Sequence, residues 1–198
     1  MREYAVAHGL AASGDARDRA QVIRLLQSAA DKGDPRAAYA LGNWQSHGIG
    51  MRKNLRKAAD LFQKAADAGD RDGAFSFATA FALGEGRPRD PRKAFQYYMK
   101  AAKLGHVSGA AEVARCFYFG IGTRSNRKRA LEWYRRAASK GDADAQYAVG
   151  RAFEVGDGVR HNERWALHWY RKAATGGSGE ARVAIDSLLH EGRLVEKR

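Results

Sequence analysis

Residue types that could do chemistry occur in this sequence, but their spacing does not assemble a reactive site. The six histidines do not form the paired ligand spacings of a metal site. The single cysteine, Cys116, falls in an apolar helical register with Val113 and Phe117, which favours a buried packing role over a nucleophile. No nucleophile, base and acid stand at a supporting spacing. The sequence therefore predicts no catalytic site, no metal and no cofactor.

A Gly-x-Gly motif, which in another setting could cradle a phosphate, recurs at an interval of 36 residues. The four copies are Gly48/Gly50, Gly84/Gly86, Gly120/Gly122 and Gly156/Gly158. A phosphate loop requires a preceding strand, whereas these glycines follow helical patterns. We interpret them as helix stops, because glycine readily adopts the left-handed conformation that closes a helix.

The basic residues are concentrated in a few short segments. The formal net charge is +13, from 35 lysines and arginines against 22 acidic residues. Four turns, at residues 50–57, 86–93, 122–129 and 158–165, carry +4, +3, +4 and +1, which is +12 of this total. Helix N-termini favour acidic residues, so local helix preference does not explain the surplus. We name the surplus residues the basic edge: Arg52, Lys53, Arg56, Arg87, Arg89, Arg92, Arg124, Arg127, Lys128 and Arg160.

The sequence leaves three interpretations of the basic edge open. It is a solvated edge, a docking site for an acidic protein surface, or a track for nucleic acid. Nucleic acid is the second choice among the partners, because the aromatic residues that would stack on bases mostly fall in core register. Either charged partner would lose affinity steeply as the salt concentration rises.

The elements that carry these turns repeat with the same period of 36 residues. An Ala-Ala pair marks each repeat, and a glycine follows it three residues later. The pairs are Ala29-Ala30, Ala65-Ala66, Ala101-Ala102, Ala137-Ala138 and Ala173-Ala174. A fixed period in this range is typical of stacked supersecondary units rather than one closed globule. It shifts the expected function from catalysis toward holding a partner.

Within one repeat the pattern predicts two helices. Asp70 is expected to cap a helix from Arg71 to about Leu83, and Asp90 to cap a second helix that begins at Pro91. The residues at this second capping position are Asp18, Asn54, Asp90, Asn126 and Asn162. Small residues that predict a close approach of helix backbones recur at Gly42, Ala78, Ala114 and Gly150.

We interpret residues 1–198 as one array of helix pairs. The repeats are approximately 1–36, 37–72, 73–108, 109–144 and 145–180. The first lacks the Gly-x-Gly and is a degenerate unit. Residues 181–191 are expected to form a lone capping helix, because an array must cover its last apolar face.

These residues resemble the Sel1-like repeat family, a relative of the tetratricopeptide repeat. The matching residues of one repeat are Ala145, Val149-Gly150, Phe153, Gly156-Asp157-Gly158-Val159, Trp165-Ala166, Trp169-Tyr170, Lys172-Ala173-Ala174 and Gly177. The resemblance implies an all-α fold, a right-handed α-α superhelical solenoid of about five 36-residue helix pairs plus a C-terminal capping helix. It also implies adaptor and scaffold roles in bacterial systems. Some secreted bacterial members of the family carry a disulfide in each repeat and have been linked to β-lactam binding. This sequence lacks those cysteines, so that activity is not carried over.

The resemblance further implies that the first helices line a concave groove. The residues expected to face the groove are Tyr39, Asn43, Phe75, Thr79, Arg115, Tyr147 and Arg151. Leu83 and Phe119, near helix ends, are candidates to join them. Aromatic and arginine side chains are common interface anchors. The alternative is that the aromatic members simply pack between layers.

The sequence therefore predicts a non-enzymatic protein–protein interaction adaptor or scaffold whose partner is another protein with an acidic surface. The alternatives are an immunity or inhibitor protein that occludes one toxin or effector, and a nucleic-acid-binding solenoid. No apolar run is long enough for a membrane span, and no secretory signal is recognised. A cytoplasmic location is therefore expected unless a leader has been removed, and a single cysteine fits a reducing compartment.

Overall fold

The structure is a computed structural model that describes residues 2–12 and 18–190. Within those residues it contains eleven α-helices and no strand, which confirms the all-α fold class. The helices are α1 (Arg2–Ala12), α2 (Arg19–Asp31), α3 (Pro35–His47), α4 (Leu55–Asp67), α5 (Arg71–Leu83), α6 (Pro91–Lys103), α7 (Val107–Phe119), α8 (Arg127–Ala138), α9 (Ala143–Val155), α10 (Glu163–Thr175) and α11 (Gly179–His190).

The chain divides into two compact units. The first unit, Met1–His106, contains α1 to α6, and the second unit, Val107–Arg198, contains α7 to α11. In the first unit each helix packs against the next one along the chain, and α3 also contacts α5. In the second unit the same succession of contacts runs from α7 to α11. Such a succession is typical of helix pairs that cover the apolar faces of their neighbours.

Side chains at the predicted capping positions bind the N-termini of the helices. The Oδ1 of Asn54 accepts a hydrogen bond from the backbone N–H of Lys57 at 3.0 Å. Equivalent bonds are accepted by Asp90, Asn126 and Asn162. In each helix pair the first helix is α3, α5, α7 or α9, and the second is α4, α6, α8 or α10. The first helices α3, α5 and α9 are capped in the same way by Asp34, Asp70 and Asp142. Asp18 differs, because its backbone is helical and its side chain makes no capping bond to α2.

The turn between the two helices of a pair is closed by one repeated hydrogen bond. Gly84 and Gly156, which end first helices, adopt left-handed φ angles of 79° and 77°. The backbone N–H of the next capping residue then donates to a carbonyl nine residues earlier, as from Asn126 to Phe117 at 2.7 Å. These bonds fix the start of each second helix against the end of its first helix.

Small residues of the first helices make room for aromatic rings of the second helices. A Cβ added to Gly150 would lie 2.6 Å from the ring of Tyr170, and one added to Gly42 would lie 2.7 Å from that of Phe62. The ring therefore occupies the space that a side chain would need. The sequence predicts a close approach of helix backbones at these positions. At Gly42 and Gly150 the nearest atoms belong to such a ring rather than to the opposite backbone, so the ring makes the close contact with the glycine.

The pair Ala65-Ala66 lies where the second helix α4 meets the next first helix, α5. Ala65 of α4 is fully buried, and a Cβ added to Gly73 of α5 would lie 2.5 Å from its Cβ. A larger side chain at either position would force the helices apart. In the region expected to form a capping helix, α11 packs on α10 and buries Ala181 and Leu188. Residue 191 lies outside the described residues.

Successive basic turns pack directly on one another within each unit. An added Cβ at Gly86 would overlap the carbonyl oxygen of Leu55 at the start of α4. In the second unit, a Cβ at Gly158 would lie 2.7 Å from the carbonyl oxygen of Arg127 at the start of α8. These glycines therefore let each turn rest on the first turn of the preceding second helix.

Replacing Gly86 by alanine is expected to destabilise the protein more than replacing Gly69. Both glycines have a positive φ, 70° and 87°, which disfavours a side chain by about 1 kcal/mol. A Cβ at Gly69 meets no atom within 4 Å, whereas a Cβ at Gly86 would overlap the backbone of Leu55. Urea unfolding should show a loss of about 1 kcal/mol for Gly69→Ala and of about 3 kcal/mol for Gly86→Ala. Equal losses would contradict the packing of this turn on α4.

Candidate protein-interaction surface

The structure places the basic edge on the turns before the second helices and on their first turns. Nine of its ten residues are exposed, and Arg87 is half-buried. Within the described residues, eight members have no carboxylate within salt-bridge distance: Arg52, Lys53, Arg56, Arg89, Arg92, Arg124, Lys128 and Arg160. Charge that is not neutralised locally produces a positive potential that attracts anionic partners.

Two members of the basic edge are paired with carboxylates. Arg87 forms a salt bridge with Asp60 of α4, and its side chain is 20% exposed. The guanidinium of Arg127 lies 3.7 Å from the carboxylate of Asp157. It also lies 3.5 Å from the ring centroid of Tyr118, a distance typical of a cation–π contact. These two arginines are therefore held in position by neighbouring side chains.

Other basic residues of the same turns cover aromatic side chains of the first helices. The Nζ of Lys93 lies 5.3 Å from the ring centroid of Phe81. The guanidinium of Arg129 lies 4.5 Å from the ring centroid of Phe117. Long basic side chains shield apolar surface along their stems while the charged group stays in water. The repeat position shared by Lys93 and Arg129 therefore has a structural role that requires no partner.

In the first unit, a cavity of about 380 Å³ lies between α3, α4 and α5. Three predicted groove residues line it: Asn43, Phe75 and Thr79. Tyr39 does not line this cavity, and its half-buried ring lies 6.1 Å from that of Phe62. Phe75 also stacks on His106, with ring centroids 4.3 Å apart. The aromatic side chains of this unit therefore contribute to packing, which is the alternative that the sequence leaves open.

In the second unit, a cavity of about 420 Å³ lies between α7, α8 and α9; we call it the α7–α9 cavity. The groove residues Tyr147 and Arg151 line it, together with Arg127 of the basic edge. Arg115 does not line it, and its guanidinium is paired with Glu112 at 2.6 Å. The helix-end candidate Phe119 lines it, as do eight residues absent from the predicted groove: Tyr118, Ala130, Leu131, Tyr134, Ala148, Ala152, Val155 and Asp157.

The two cavities are built from equivalent positions of the repeat, 72 residues apart. Eleven of the twelve residues lining the α7–α9 cavity have a counterpart in the first unit's cavity. The pairs that differ in residue type are Ser46/Tyr118, His47/Phe119, Leu55/Arg127, Ala59/Leu131, Phe62/Tyr134, Phe75/Tyr147, Ser76/Ala148, Thr79/Arg151 and Glu85/Asp157. The repeat therefore creates the cavity, and the residues at these positions set its chemistry. Aligning second helices at the 36-residue spacing would have identified the position of Tyr134.

One tyrosine that lines the α7–α9 cavity, Tyr134, has an unusual environment. Burial raises the pKa of the Tyr134 phenol to about 12. Its counterpart 36 residues later, Tyr170, is fully buried and donates a hydrogen bond to the Glu154 carboxylate at 2.6 Å; burial and this bond raise its pKa. Within the described residues, the hydroxyl of Tyr134 has no acceptor of this kind. Tyr134 therefore presents a neutral O–H donor at the cavity.

The remaining reactive residue types do not form a site in the part of the chain that the structure describes. Cys116 is 1% exposed, and burial raises the pKa of its thiol to about 11, which disfavours the reactive thiolate. Among residues 2–12 and 18–190, no three histidine, cysteine or acidic side chains gather where they could hold a metal ion. In the same residues, no helix has the length and apolar character of a membrane span.

Together, the helix pairs, the cavities between them and the exposed turns define an all-α protein of the superhelical repeat class. The Sel1 repeat model matches the chain at residues 1–34, 35–70, 77–106, 107–142 and 143–178. The chain therefore belongs to the Sel1 repeat family. Proteins of this family generally mediate protein–protein interactions, and their fold is generally a non-enzymatic scaffold.

Solved structures with this fold support the assignment. A protective antigen of uropathogenic Escherichia coli with an SLR fold is 27% identical, with a TM-score of 0.93 over 99% of this chain and 42% of that one. A Sel1 repeat protein from Oxalobacter formigenes is 30% identical, with a TM-score of 0.84 over 96% of this chain and 78% of that one. An immunity protein from Pseudomonas aeruginosa is 25% identical, with a TM-score of 0.53 over 91% and 67% of the respective chains. The chain thus spans less than half of the Escherichia coli protein, and no curated protein matches it.

Tyr134 is expected to make the stability of the protein fall at alkaline pH. Its folded-state pKa of about 12 is raised above the value near 10 of an exposed tyrosine. The neutral phenol therefore contributes stability that is complete below about pH 10 and is lost as the pH rises through about 12. Urea unfolding at about pH 9 and about pH 11.5 should show a smaller loss for Tyr134→Phe than for the wild type. Equal losses would contradict the burial of this phenol.

The thiol of Cys116 is expected to react slowly in the native protein. A pKa of about 11 instead of 9.0 lowers the thiolate fraction near neutral pH by about 100-fold, and burial blocks access further. Labelling with an aromatic disulfide reagent should therefore be at least about 100-fold slower in buffer than in denaturant. Comparable rates in the two solutions would contradict the packing role of Cys116.

Proposed function

We propose that this Sel1 repeat protein is a non-enzymatic adaptor that binds an acidic surface of another protein through its basic edge and its groove. The observation that carries the proposal is the set of eight exposed basic residues without a carboxylate partner in the described chain. Solubility alone is served by charges of both signs spread over a surface. A concentration of one sign in equivalent turns favours an oppositely charged partner and accelerates its association.

The aromatic residues beside the basic edge favour a protein partner over nucleic acid. Phe81, Phe117 and Phe153 are buried, so they are not available to stack on bases. The exposed rings of Phe119 and Trp165 lie at two of the four turns and do not form the continuous series of rings that successive bases require. The exposed apolar residues near the edge include Leu83 and Phe119, the last residues of α5 and α7. Apolar side chains next to positive charge suit a protein interface with an apolar centre and a polar rim.

Reversing three unpaired charges of the basic edge is expected to abolish binding of the partner. The variant Arg89→Glu/Arg124→Glu/Lys128→Glu changes exposed residues, so its stability should change by less than about 1 kcal/mol. Affinity purification from the source cells, followed by mass spectrometry, should capture an acidic protein with the wild type but not with this variant. Binding of that protein to the wild type should weaken at least about tenfold between low and high salt.

A matched control separates the position of the charges from their number. Lys64→Glu/Lys103→Glu/Lys140→Glu introduces the same change of charge at exposed residues near the C-terminal ends of second helices. A second helix of 13 residues places these ends about 20 Å from the basic edge. The control should retain the partner. The proposal is wrong if the edge variant also retains every protein that the wild type captures.

An immunity function is a second candidate, favoured by the similarity to an immunity protein of Pseudomonas aeruginosa. The same surfaces would then occlude one toxin rather than join two proteins. Growth of cells that express the captured partner, alone and together with this protein, distinguishes the two functions. Rescue of growth by a one-to-one complex supports immunity, whereas unchanged growth and a complex with two partners support an adaptor.

A further inference from the structure

We infer that the α7–α9 cavity anchors an acidic peptide segment of the partner. One large apolar side chain of the segment lies in the cavity, and a neighbouring carboxylate binds Arg151. The inference rests on the proposed function, because it identifies the part of a partner protein that the groove would hold. Three observations carry it: the residues that the repeat varies, the exposed apolar side chains at the rim, and the charge balance of the lining.

The cavity of the first unit shows which lining residues the fold itself needs. Small residues are retained at two of the shared positions, as Ala58/Ala130 and Ala80/Ala152. Small or polar residues of the first unit are replaced by large ones in four pairs: Ser46/Tyr118, His47/Phe119, Ala59/Leu131 and Thr79/Arg151. The repeat folds with either set. The aromatic and cationic lining of the α7–α9 cavity is therefore not a requirement of folding.

The rim of the α7–α9 cavity exposes apolar side chains to water. Phe119 and Val155, the last residues of α7 and α9, are 65% and 61% exposed. Exposed apolar patches of this kind mark interaction sites on soluble proteins. The cavity volume of about 420 Å³ lies within the range of pockets that enclose a bound group. A large apolar side chain of a partner would cover this rim and contact the half-buried ring of Tyr147.

The charges of the lining favour a single carboxylate as the ligand's polar group. Arg127 and Asp157 are paired, which leaves Arg151 as the unbalanced charge of the cavity. Arg151 is exposed, and no carboxylate of the described residues lies within salt-bridge distance of it. A guanidinium binds a carboxylate through two parallel N–H bonds. A nucleic acid would instead bring a series of phosphates, and the single unbalanced charge of Arg151 can offset only one of them.

Tyr134 adds a contact for the backbone of the bound segment. Its phenol remains neutral well above physiological pH because burial raises its pKa to about 12. Its O–H has no acceptor among the described residues, whereas the equivalent Tyr170 donates to Glu154. A neutral hydroxyl donates readily to a peptide carbonyl. The cavity therefore offers an apolar wall, a cation and a neutral donor, which is the set that an acidic peptide requires.

Selection of peptides on the wild-type protein tests this inference. The probe is a phage-displayed library of random 12-residue peptides. Enriched peptides should carry Asp or Glu within about three residues of Leu, Phe or Trp, because both groups must reach one cavity. A synthetic copy of an enriched peptide should bind at least tenfold more weakly to Arg151→Thr and to Phe119→His. These changes copy Thr79 and His47 of the first unit, so they are compatible with the repeat fold.

The control is Arg182→Thr, which makes the same chemical change at an exposed arginine of α11 that lies outside the α7–α9 cavity, the predicted groove and the basic edge. It should bind the peptide within twofold of the wild type. The inference is overturned if no acidic and apolar consensus is enriched, or if Arg182→Thr and Arg151→Thr weaken binding equally. Displacement of the peptide by a single-stranded 20-nucleotide probe that also depends on Arg151 would assign the cavity to nucleic acid and overturn it as well.

The failure of this inference differs from the failure of the proposed function. If capture of the natural partner is lost in the basic-edge variant but kept in Arg151→Thr, the adaptor proposal stands and the anchor site is wrong. If neither variant affects capture, the adaptor proposal is wrong, whatever the peptide selection yields.

Discussion

An aromatic ring of the second helix, seated over a first-helix residue without a side chain, holds the helix pair together. Tyr170 is fully buried against Gly150, and Phe62 is buried against Gly42. Because the ring fills the gap between the two helices, its size sets their separation. Phe62 and Tyr134, which share this repeat position, also line the two cavities. The repeat position whose ring packs on the small residue of its helix pair is therefore also a lining position of the cavity beside it.

Local signals in the sequence predict the helices, whereas contacts between residues distant in the chain were not predicted. The helix from Arg71 to Leu83 and the start of the next helix at Pro91 are confirmed, because caps and glycines act on residues adjacent in the chain. The covering of Phe81 by Lys93 was not predicted. A repeat period fixes the position of a residue along its helix, but it does not identify which side chain of the neighbouring helix lies opposite.

At the candidate site, too, the local contacts could be read from the sequence and the contacts between helices could not. Arg115 and Arg151 occupy one repeat position and both were placed in the groove, yet Arg115 is paired with Glu112. The signal was present in the sequence, since Ala148 stands where Glu112 would recur before Arg151. By contrast, no sequence pattern joins Arg127 to Arg151, because they lie 24 residues apart on different helices. The basic edge and the groove were therefore predicted as separate surfaces, although one cavity contains residues of both.

The capping residues explain how the fold accommodates positive charge at the N-termini of second helices. Each basic residue there opposes the helix dipole by about 0.3–1 kcal/mol. A capping bond, such as that from the Arg129 N–H to Asn126, contributes about 1 kcal/mol in the other direction. Asparagine caps at Asn54, Asn126 and Asn162 satisfy the backbone without adding negative charge, whereas aspartate would neutralise one cation of the turn. Uncharged caps therefore let these turns keep both their helical start and their positive potential.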